Sequence, residues 1–307
     1  MGPYLSNPIT EKITIEDEQN QYLKYSYAEM QGWRNTMEDS HISNINIGED
    51  IALFGIFDGH GGHEVARFVE LHFIEELKKN DNFFKKNFEQ ALKETFLKMD
   101  ELMLKKEGLS ELLKIKSNNN NNNAYDENDI KQTYAGCTAN VALIYKKQQI
   151  YVANSGDSRT VLCTKDKKPI ELSIDHKPDN IEEKNRIQKA GGFISDGRVN
   201  GNLNLSRALG DFEYKKGAKS PEDFIISAFP EVKIKELNQD DKFVLMGCDG
   251  IWECMTNQEL MDFCYERIQK GMKLKNILIE LLDTIIAKDT SDGVGCDNMT
   301  TILIQLK

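Results

Sequence analysis

Acidic residues stand beside several apolar stretches of the sequence, where carboxylates could do metal chemistry. They occur at four separate places: Glu38-Asp39, Asp58-Gly59, Asp249-Gly250 and Asp297-Asn298. Each pair alone is most simply a turn, because Asp and Gly are common turn residues. An unpaired charge is costly to bury, so carboxylates placed against apolar runs need compensation. Their recurrence therefore predicts that they converge on cations.

The ligand types favour hard divalent ions. Carboxylates, backbone carbonyls and water suit Mg²⁺ or Mn²⁺. His60 and His63 do not belong to an HExxH motif, and the six cysteines include no CxxC pair. Neither an EF-hand loop nor a GxxxxGK[ST] phosphate loop occurs in the sequence. The cysteine pattern indicates neither a zinc site nor a disulfide framework, and it favours a reducing, intracellular and cytoplasmic setting.

The composition is that of an acidic globular protein. The chain has 307 residues, of which 39% are hydrophobic, and a formal net charge of −11. This charge argues against nucleic acid as a general partner, because phosphate backbones are held by clustered Lys and Arg. If the substrate is an anion, the protein must create positive potential locally, with metals or with a placed arginine.

The start of the chain resembles a lipid-modification signal in one respect. The stretch "MGPYLS" matches the loose pattern for N-myristoylation at Gly2. Pro3 makes Gly2 a poorer acceptor, and an ordinary flexible terminus is the simpler interpretation. A single acyl chain would give only weak membrane association. No stretch is long enough to span a bilayer, and no signal peptide is predicted.

The elements that must position the acids follow from hydrophobic patterning. Strands are predicted at 22–31, 40–47, 51–57, 134–145, 149–154, 159–164, 224–229, 232–237, 243–248 and 299–306. Helices are predicted at 62–79, 87–106, 180–189, 257–270 and 274–288. Consecutive strands with tight turns, together with runs of helices, predict an α+β fold in one domain.

Three segments fall outside this pattern. Residues 1–21 are polar and are predicted to form a flexible tail. Residues 117–130 contain a run of asparagines and are predicted to be a disordered insertion, because they cannot bury enough apolar surface to become ordered. Residues 195–222 are rich in Gly, Asp, Asn and Lys and are predicted to form an irregular flap.

Short motifs spread over the chain resemble, in order, those of the metal-dependent protein serine/threonine phosphatases of type 2C. They are "MQGWRNTMEDSH" (30–41), "FDGHGG" (57–62), "YAGCTA" (134–139), "ANSGDSR" (153–159), "DHKP" (175–178), "AGGFI" (190–194), "LSRALGDF" (205–212), "CDGIWE" (248–253) and "DNMT" (297–300). The resemblance implies a catalytic domain over 22–307. It also implies a four-layer α+β fold, in which two mostly antiparallel sheets form a central β-sandwich flanked by helix pairs.

The resemblance implies a two-metal site, for Mg²⁺ or Mn²⁺, at one end of the sandwich. Asp58 would bridge both metals, and the carbonyl of Gly59 would bind one of them. Asp249 and Asp297 would complete the protein ligands of the other metal, and Glu38 would act mainly through bound water. A hydroxide held between the metals would attack the phosphorus directly, so no phosphoryl-enzyme would form.

Further residues take roles from the same resemblance. Asp39 would support the metal ligands, Arg34 would hold the substrate phosphate, and His60 would protonate the leaving alkoxide. Asp157 and Glu253 would bind a weaker third metal. The family often has an aspartate where this chain has Glu253, so the third site is expected to be shifted or weaker.

The activity that the resemblance implies is hydrolysis of phosphoserine and phosphothreonine in phosphoprotein substrates, by a protein that we expect to be a monomer. Two other interpretations use the same residues. A catalytically silent relative would bind phosphoproteins, although such proteins typically lose one or more metal acids. A hydrolase of small phosphate esters would use the same site, and the sequence leaves that alternative open.

Overall fold

The computed structural model describes residues 4–117 and 135–307. Within those residues, two large antiparallel sheets carry most of the strands. The first sheet contains, in spatial order, β1 (Ile9–Thr14), β3 (Leu23–Gly32), β17 (Met299–Leu306), β16 (Asp241–Gly247), β10 (Arg159–Thr164) and β11 (Pro169–Glu171), and β2 (Glu18–Gln19) also pairs with β3. The second contains β15 (Glu231–Glu236), β9 (Gln149–Ser155), β8 (Ala139–Tyr145), β5 (Ile51–Phe57) and β4 (Ser40–Gly48).

Two small sheets complete the described strands. One is formed by β14 (Leu209–Gly210), β7 (Gly136–Cys137) and β6 (Gly59–His60), and the other by β12 (Ile194–Ser195) and β13 (Arg198–Val199). The helices are α1 (Glu64–Lys79), α2 (Asp81–Phe84), α3 (Phe88–Met103), α4 (Lys106–Ser117), α5 (Ile181–Lys189), α6 (Asp249–Trp252), α7 (Asn257–Gln269) and α8 (Leu274–Ile285). None of these described helices is long and apolar enough to cross a membrane.

The layers follow from where the apolar side chains point. Every residue of β5 is buried, because one face of that strand meets the first sheet and the other meets helices. One core fills the space between the two sheets and continues under α7 and α8. A second core lies between the second sheet and the helices α1 and α3. The predicted four-layer α+β sandwich is therefore confirmed.

The strand registers bring several strand ends to one end of the sandwich. In the first sheet, Gly247 at the end of β16 pairs with Thr301 near the start of β17 and with Arg159 at the start of β10. In the second sheet, Phe57 at the end of β5 pairs with Ser40 at the start of β4. The loops next to these residues carry the acids that the sequence singles out.

Residues 4–21, the described part of the predicted flexible tail, are ordered by pairing with the first sheet. β1 pairs with β3 in antiparallel register, from Thr14↔Ala28 to Ile9↔Gly32. Ahead of β1, the amide of Leu5 donates to the carbonyl of Trp33 at 2.9 Å. The segment is polar because β1 lies at a sheet edge and is mostly exposed, so its sequence lacks the buried pattern of a central strand. Gly2 lies outside the described residues.

The predicted strand at 224–229 is wrong. The structure has a 3₁₀ turn at Pro221–Asp223 followed by irregular chain, with one isolated bridge between Arg207 and Ser227. The guanidinium of Arg186 donates to the carbonyls of Phe224, at 3.1 Å from Nε, and of Ile225, at 3.5 Å from Nη2. The Arg186 side chain thus provides the hydrogen-bond donors that a neighbouring strand would otherwise provide to these two carbonyls.

Several predicted boundaries shift. The stretch 134–145 contains two strands, β7 and β8, and the helix predicted at 87–106 ends at Met103. α4 was not predicted, because Gly108 interrupts its pattern near the start. α8 ends at Ile285, three residues early, since the amide of Ala287 donates to the carbonyl of Gly295 instead of continuing the helix. The disordered insertion was predicted at residues 117–130, and all of these except Ser117 lie outside the described residues.

The predicted flap at 195–222 is a packed unit in the structure. It contains β13, β14 and a 3₁₀ turn at Phe212–Tyr214. A third, small core of buried side chains holds this unit against α5. Its buried members are Ile187, Val199, Leu205, Ala208, Tyr214 and Ile226.

Candidate active site

A cavity of about 320 Å³ opens at the end of the sandwich where the strand ends meet. Most of the residues that the sequence singles out line it. They are Arg34, Glu38, Asp58, Gly59, His60, Asp157, Asp249 and Asp297. The flap contributes Asn204 and Leu205 to the same wall. The structure therefore brings together residues that are up to 263 positions apart in the chain, as in the ion pair of Arg34 with Asp297.

Three aspartates form the centre of the cavity. Asp58 follows β5, Asp249 begins α6 directly after β16, and Asp157 lies in the turn between β9 and β10. One carboxylate oxygen from each lies within 4.8 Å of the other two. Burial, and then the charge of Asp249, raise the pKa of Asp58 well above its ordinary value. Burial, and then Asp157, do the same to the pKa of Asp249.

The close spacing of the three carboxylates allows us to ask whether these residues fit a metal ion. Three carboxylates at such spacing repel one another unless they are protonated or neutralised by cations. The donor set consists of oxygen atoms, which suits Mg²⁺ or Mn²⁺. A divalent ion would neutralise the charge and restore ordinary ionisation, so the residues present fit the metals that the sequence predicts.

Asp39 lies behind the cavity wall. Its side chain is buried, and it accepts a hydrogen bond from Oγ1 of Thr300 at 2.6 Å. One of its oxygens lies within 4.8 Å of an oxygen of Asp58 and of Sγ of Cys248. Burial raises the pKa of Asp39 to about 7. Asp39 is thus a buried acid directly behind Asp58, and its charge adds to the negative potential at that residue.

The loop that carries Arg34 and Glu38 is fastened by a residue that the sequence analysis missed. The side-chain amide of Asn298 donates to the carbonyls of Gln31 at 2.8 Å and Thr36 at 3.0 Å. Its Oδ1 accepts the amide proton of Glu38 at 2.9 Å. Asn298 follows Asp297 in the "DNMT" motif, which is the signal that could have identified it.

Arg34 reaches across this loop to Asp297. Nη2 of Arg34 lies 2.5 Å from Oδ2 of Asp297. Burial lowers the pKa of Arg34, but Asp297 outweighs that effect and raises it. Nε of Arg34 is buried and has no hydrogen-bond partner among the described residues. The Arg34 side chain as a whole is 38% exposed and lines the cavity, so part of the guanidinium can be reached by an anion there.

His60 has a partner that the sequence analysis also missed. Its Nε2 lies 2.7 Å from Oδ2 of Asp211, which is almost fully buried. Burial lowers the pKa of His60, but the charge of Asp211 and its hydrogen bond raise it. Asp211 belongs to the quoted "LSRALGDF" motif, yet a Gly-Asp pair is read from sequence as a turn.

Of the two residues predicted for a third metal, Asp157 belongs to the central group, whereas Glu253 is not among the residues that line the cavity. Asp157 accepts an ion-paired hydrogen bond from Nζ of Lys177 at 2.5 Å. Glu253 ends α6, where its amide donates to the carbonyl of Asp249 at 2.9 Å. Burial raises the pKa of Glu253, Lys177 lowers it and Asp157 raises it, so the three groups share one electrostatic environment.

Two glycines allow the backbones around the cavity to approach closely. A Cβ on Gly59 would lie 2.3 Å from the carbonyl oxygen of Glu38. A Cβ on Gly250 would lie 2.1 Å from the carbonyl oxygen of Asn298. Contacts that short are sterically forbidden, so the Asp-Gly pairs at 58–59 and 249–250 are packing requirements as well as turns.

Comparisons with known proteins agree with this geometry. The sequence profile described as "Protein phosphatase 2C" matches residues 23–294. "Probable protein phosphatase 2C 3" of Paramecium tetraurelia is 55% identical, with 100% of both chains covered. "Probable protein phosphatase 2C 21" of Arabidopsis thaliana is 40% identical, over 100% of this chain and 93% of that one.

A solved structure supports the fold independently. The crystal structure of a serine-threonine phosphatase 2C from Toxoplasma gondii superimposes with a TM-score of 0.75, covering 97% of this chain and 99% of that chain. The two sequences are only 19% identical, so this similarity concerns the fold alone. The profile match and the full-length relatives establish that the chain belongs to the protein phosphatase 2C family.

Proposed function

We propose that this chain hydrolyses phosphoserine and phosphothreonine in phosphoproteins, using two bound divalent cations, and that residues 22–307 form the catalytic domain. The observation that carries the proposal is the convergence of Asp58, Asp157 and Asp249 beside Arg34 in one cavity. Bound cations would neutralise these carboxylates, and together with Arg34 they would create the positive potential that a protein of net charge −11 otherwise lacks.

The cations would be Mg²⁺ or Mn²⁺. Asp58 and the carbonyl of Gly59 would hold them together with Asp249 and Asp297, and Glu38 would contribute through water. When bound, such ions supply positive charge at the phosphoryl oxygens and lower the pKa of the attacking water. Asp39, which accepts a hydrogen bond from Thr300 and lies within 4.8 Å of Asp58, would support the metal ligands from behind.

The side chains that would act on the substrate are Arg34 and His60. Arg34 presents a planar set of N–H donors that matches phosphate oxygens. Water attacks the phosphorus, and the bond from phosphorus to the seryl or threonyl oxygen breaks. The leaving oxygen takes a proton from His60, so that inorganic phosphate and a free hydroxyl result. Proton donation to a poor leaving group contributes about 10²–10⁴-fold in rate.

A third, weaker cation would bind at Asp157 and Glu253. The ammonium of Lys177 already pairs with Asp157 at 2.5 Å, so a cation there must compete with a resident positive charge. Competition of this kind supports weak binding at the third site. We therefore expect full activity to need more metal than occupancy of the two tight sites does.

The decisive experiment measures phosphate release from a phosphothreonine peptide with Mg²⁺ or Mn²⁺, with and without chelator. Wild type should release phosphate only with metal. Asp58→Asn should lower turnover by at least about 100-fold, because it removes a charge aimed at the reacting centre. Asp166→Asn, at an exposed turn, is the matched control and should behave as wild type.

Each contrary result has a distinct meaning. No release from folded, metal-loaded wild type would contradict the proposal and favour a phosphoprotein-binding role. Faster turnover of small metabolite esters than of phosphopeptides would favour the small-ester alternative. Unchanged activity in Asp58→Asn would remove Asp58 from the metal site.

A further inference from the structure

We propose that Asp211 is a positioning residue for catalysis, which fixes the ring of His60 so that Nδ1 faces the leaving group. The inference rests on the proposed function, because it assigns a partner to the proton donor of that reaction. Its starting observation is the 2.7 Å distance between Nε2 of His60 and Oδ2 of Asp211. A carboxylate can only accept here, so the ring proton at this contact lies on Nε2.

The backbones of the two residues are joined through a small sheet. His60 in β6 pairs with Gly136 in β7, and Gly136 pairs with Gly210 in β14. The amide of Asp211 then donates to the carbonyl of Ala135 at 3.1 Å. Three motifs distant in sequence, around 60, 136 and 211, are therefore held in one hydrogen-bonded unit whose outer strands carry the two side chains.

The side chains pack directly on the central glycine of this unit. A Cβ on Gly136 would lie 2.4 Å from Oδ2 of Asp211 and 2.6 Å from Nε2 of His60. Gly136 is buried, and only 3% of the Asp211 side chain is exposed. The contact is thus enclosed on the side away from the cavity, where water cannot replace the carboxylate.

Asp211 is also held in an unusual backbone conformation. Its φ of 49° lies in the left-handed region, which costs a non-glycine residue free energy. The conformation turns the chain into the 3₁₀ turn at 212–214, where the amide of Tyr214 donates to the carbonyl of Asp211 at 3.0 Å. Strained residues of this kind persist where the surroundings determine them, and they cluster at active sites.

A buried ion pair anchors the segment to α3. Nζ of Lys215 lies 2.5 Å from Oδ2 of Asp100 and donates to the carbonyl of Ala208 at 2.8 Å. The other oxygen of Asp100 accepts the amide proton of Gly210 at 2.9 Å. The segment that carries Asp211 is therefore fastened on both sides of that residue.

The two ring nitrogens of His60 therefore have different roles. With Nε2–H held by Asp211, the form of His60 that can donate a proton is the imidazolium, in which Nδ1 carries the second proton and faces the substrate side. As the bond from phosphorus to the leaving oxygen breaks, the proton on Nδ1 passes to that oxygen. Orientation of this proton matters most for a poor leaving group such as an alkoxide, and least for one that departs without a proton.

The test compares leaving groups in Asp211→Asn with Mg²⁺ present. On a phosphothreonine peptide, kcat should fall by about 10- to 100-fold with KM within about twofold, as expected for impaired proton donation. On p-nitrophenyl phosphate, whose phenolate is a good leaving group, kcat should change by less than about threefold. Glu213→Gln, exposed and two residues away, is the control and should match wild type on both substrates.

Three further measurements guard against a variant that simply misfolds. Gly136→Ala keeps both functional groups but pushes them apart, and it should reproduce the leaving-group pattern. In wild type, nitrogen NMR of histidine-labelled protein should show His60 protonated at Nε2, with His60→Gln identifying the signal. Asp211→Asn combined with His60→Gln should be no slower than His60→Gln alone.

The inference is overturned by equal losses on the two substrates, by additive losses in the double variant, or by a proton on Nδ1 alone in wild type. Failure of the proposed function would look different. In that case wild type itself would release no metal-dependent phosphate from either substrate.

Discussion

The carboxylates in the cavity differ in whether a cationic side chain lies beside them. Asp58 and Asp249 each place a carboxylate oxygen within 4.8 Å of the other, so their charges repel unless protons or cations neutralise them. Asp297 is paired with Arg34, and Asp157 with Lys177. Of these two paired acids, Asp157 is the one that we assign, with Glu253, to a third and weaker cation.

At the residue scale, this argument predicts a selective effect of Glu253→Gln. Loss of one carboxylate beside Asp157 should raise the metal concentration for half-maximal activity by about tenfold, while the two tight ions stay bound. Isothermal titration calorimetry measures binding of the two tight ions. A metal titration of phosphate release measures the metal concentration for half-maximal activity. Glu253→Asp keeps the charge and is the matched control. Identical metal titrations in Glu253→Gln and wild type would exclude Glu253 from the third site.

The site shows what a residue pattern can and cannot predict. The acids at strand ends could be recognised because charge beside an apolar run is unusual. Asp211 and Asn298 were missed although both lie in quoted motifs, because each looks like part of a turn. Their partners lie 151 and 260 positions away, at His60 and Glu38. Only the folded chain brings those pairs within hydrogen-bond distance.

At the element scale, α5 is tied to the flap through one buried acid. Glu183 accepts hydrogen bonds from Nη2 of Arg207 at 2.6 Å, from Nη1 of Arg186 at 2.7 Å and from the hydroxyl of Ser206 at 2.6 Å. Burial raises the pKa of Glu183, but the bond from Arg207 and the neighbouring charges lower it to about 2. This cluster links the element behind the flap to the wall of the cavity.

The cluster predicts a pH dependence of stability. Because the folded pKa of Glu183, about 2, lies below its ordinary value of 4.5, its ionisation stabilises the folded state above pH 4.5 by about 3 kcal/mol. That stabilisation is lost as the pH falls from 4.5 towards 2. The difference in unfolding free energy between wild type and Glu183→Gln should therefore shrink over that range. Denaturant unfolding at several pH values measures it.

The exposed neighbour on the same helix provides the control. Glu182→Gln removes the same charge at an exposed position and should change stability by no more than about 0.5 kcal/mol. A wild-type advantage over Glu183→Gln that stays constant from pH 7 to pH 3 would contradict the assignment.

Prediction of elements succeeded where a strand is buried and failed where side chains replace strands. β5, β10 and β17 are largely buried strands with an apolar stretch in each, and their predicted limits match the structure. The stretch 224–229 carries a similar pattern, yet Arg186 and the small flap core hold it as irregular chain. β1 is mostly exposed and polar, so composition alone gave no sign of it.

At the scale of the whole molecule, β1 connects the start of the chain to the active site. β1 covers the edge of β3. β3 in turn leads directly into the loop that carries Trp33 and Arg34. Lys12 in β1 also lies 2.5 Å from Asp283 in α8. The first residues therefore contribute to the first sheet and to a helix layer at once.

Deletion of residues 1–15 should consequently lower both stability and turnover. We expect the melting temperature to fall by at least about 5 °C, because a sheet edge and its contacts are lost. Turnover should fall as well, since the loop of Arg34 loses its support from Leu5. Differential scanning calorimetry and phosphate release measure the two effects. Deletion of residues 1–3 retains β1 and is the control; equal melting temperatures in the two deletions would restore the flexible-tail prediction.

The position of β17 has a consequence for how the protein is made. β17 comes last in the order of the strands but lies inside the first sheet, between β3 and β16. On the ribosome, the second sheet can pair as soon as residue 236 has emerged, whereas the first sheet must wait for residues 299–306. Asp297 arrives with that last strand. A nascent chain therefore cannot complete the cavity that Asp297 lines before residues 299–306 have emerged and joined the first sheet.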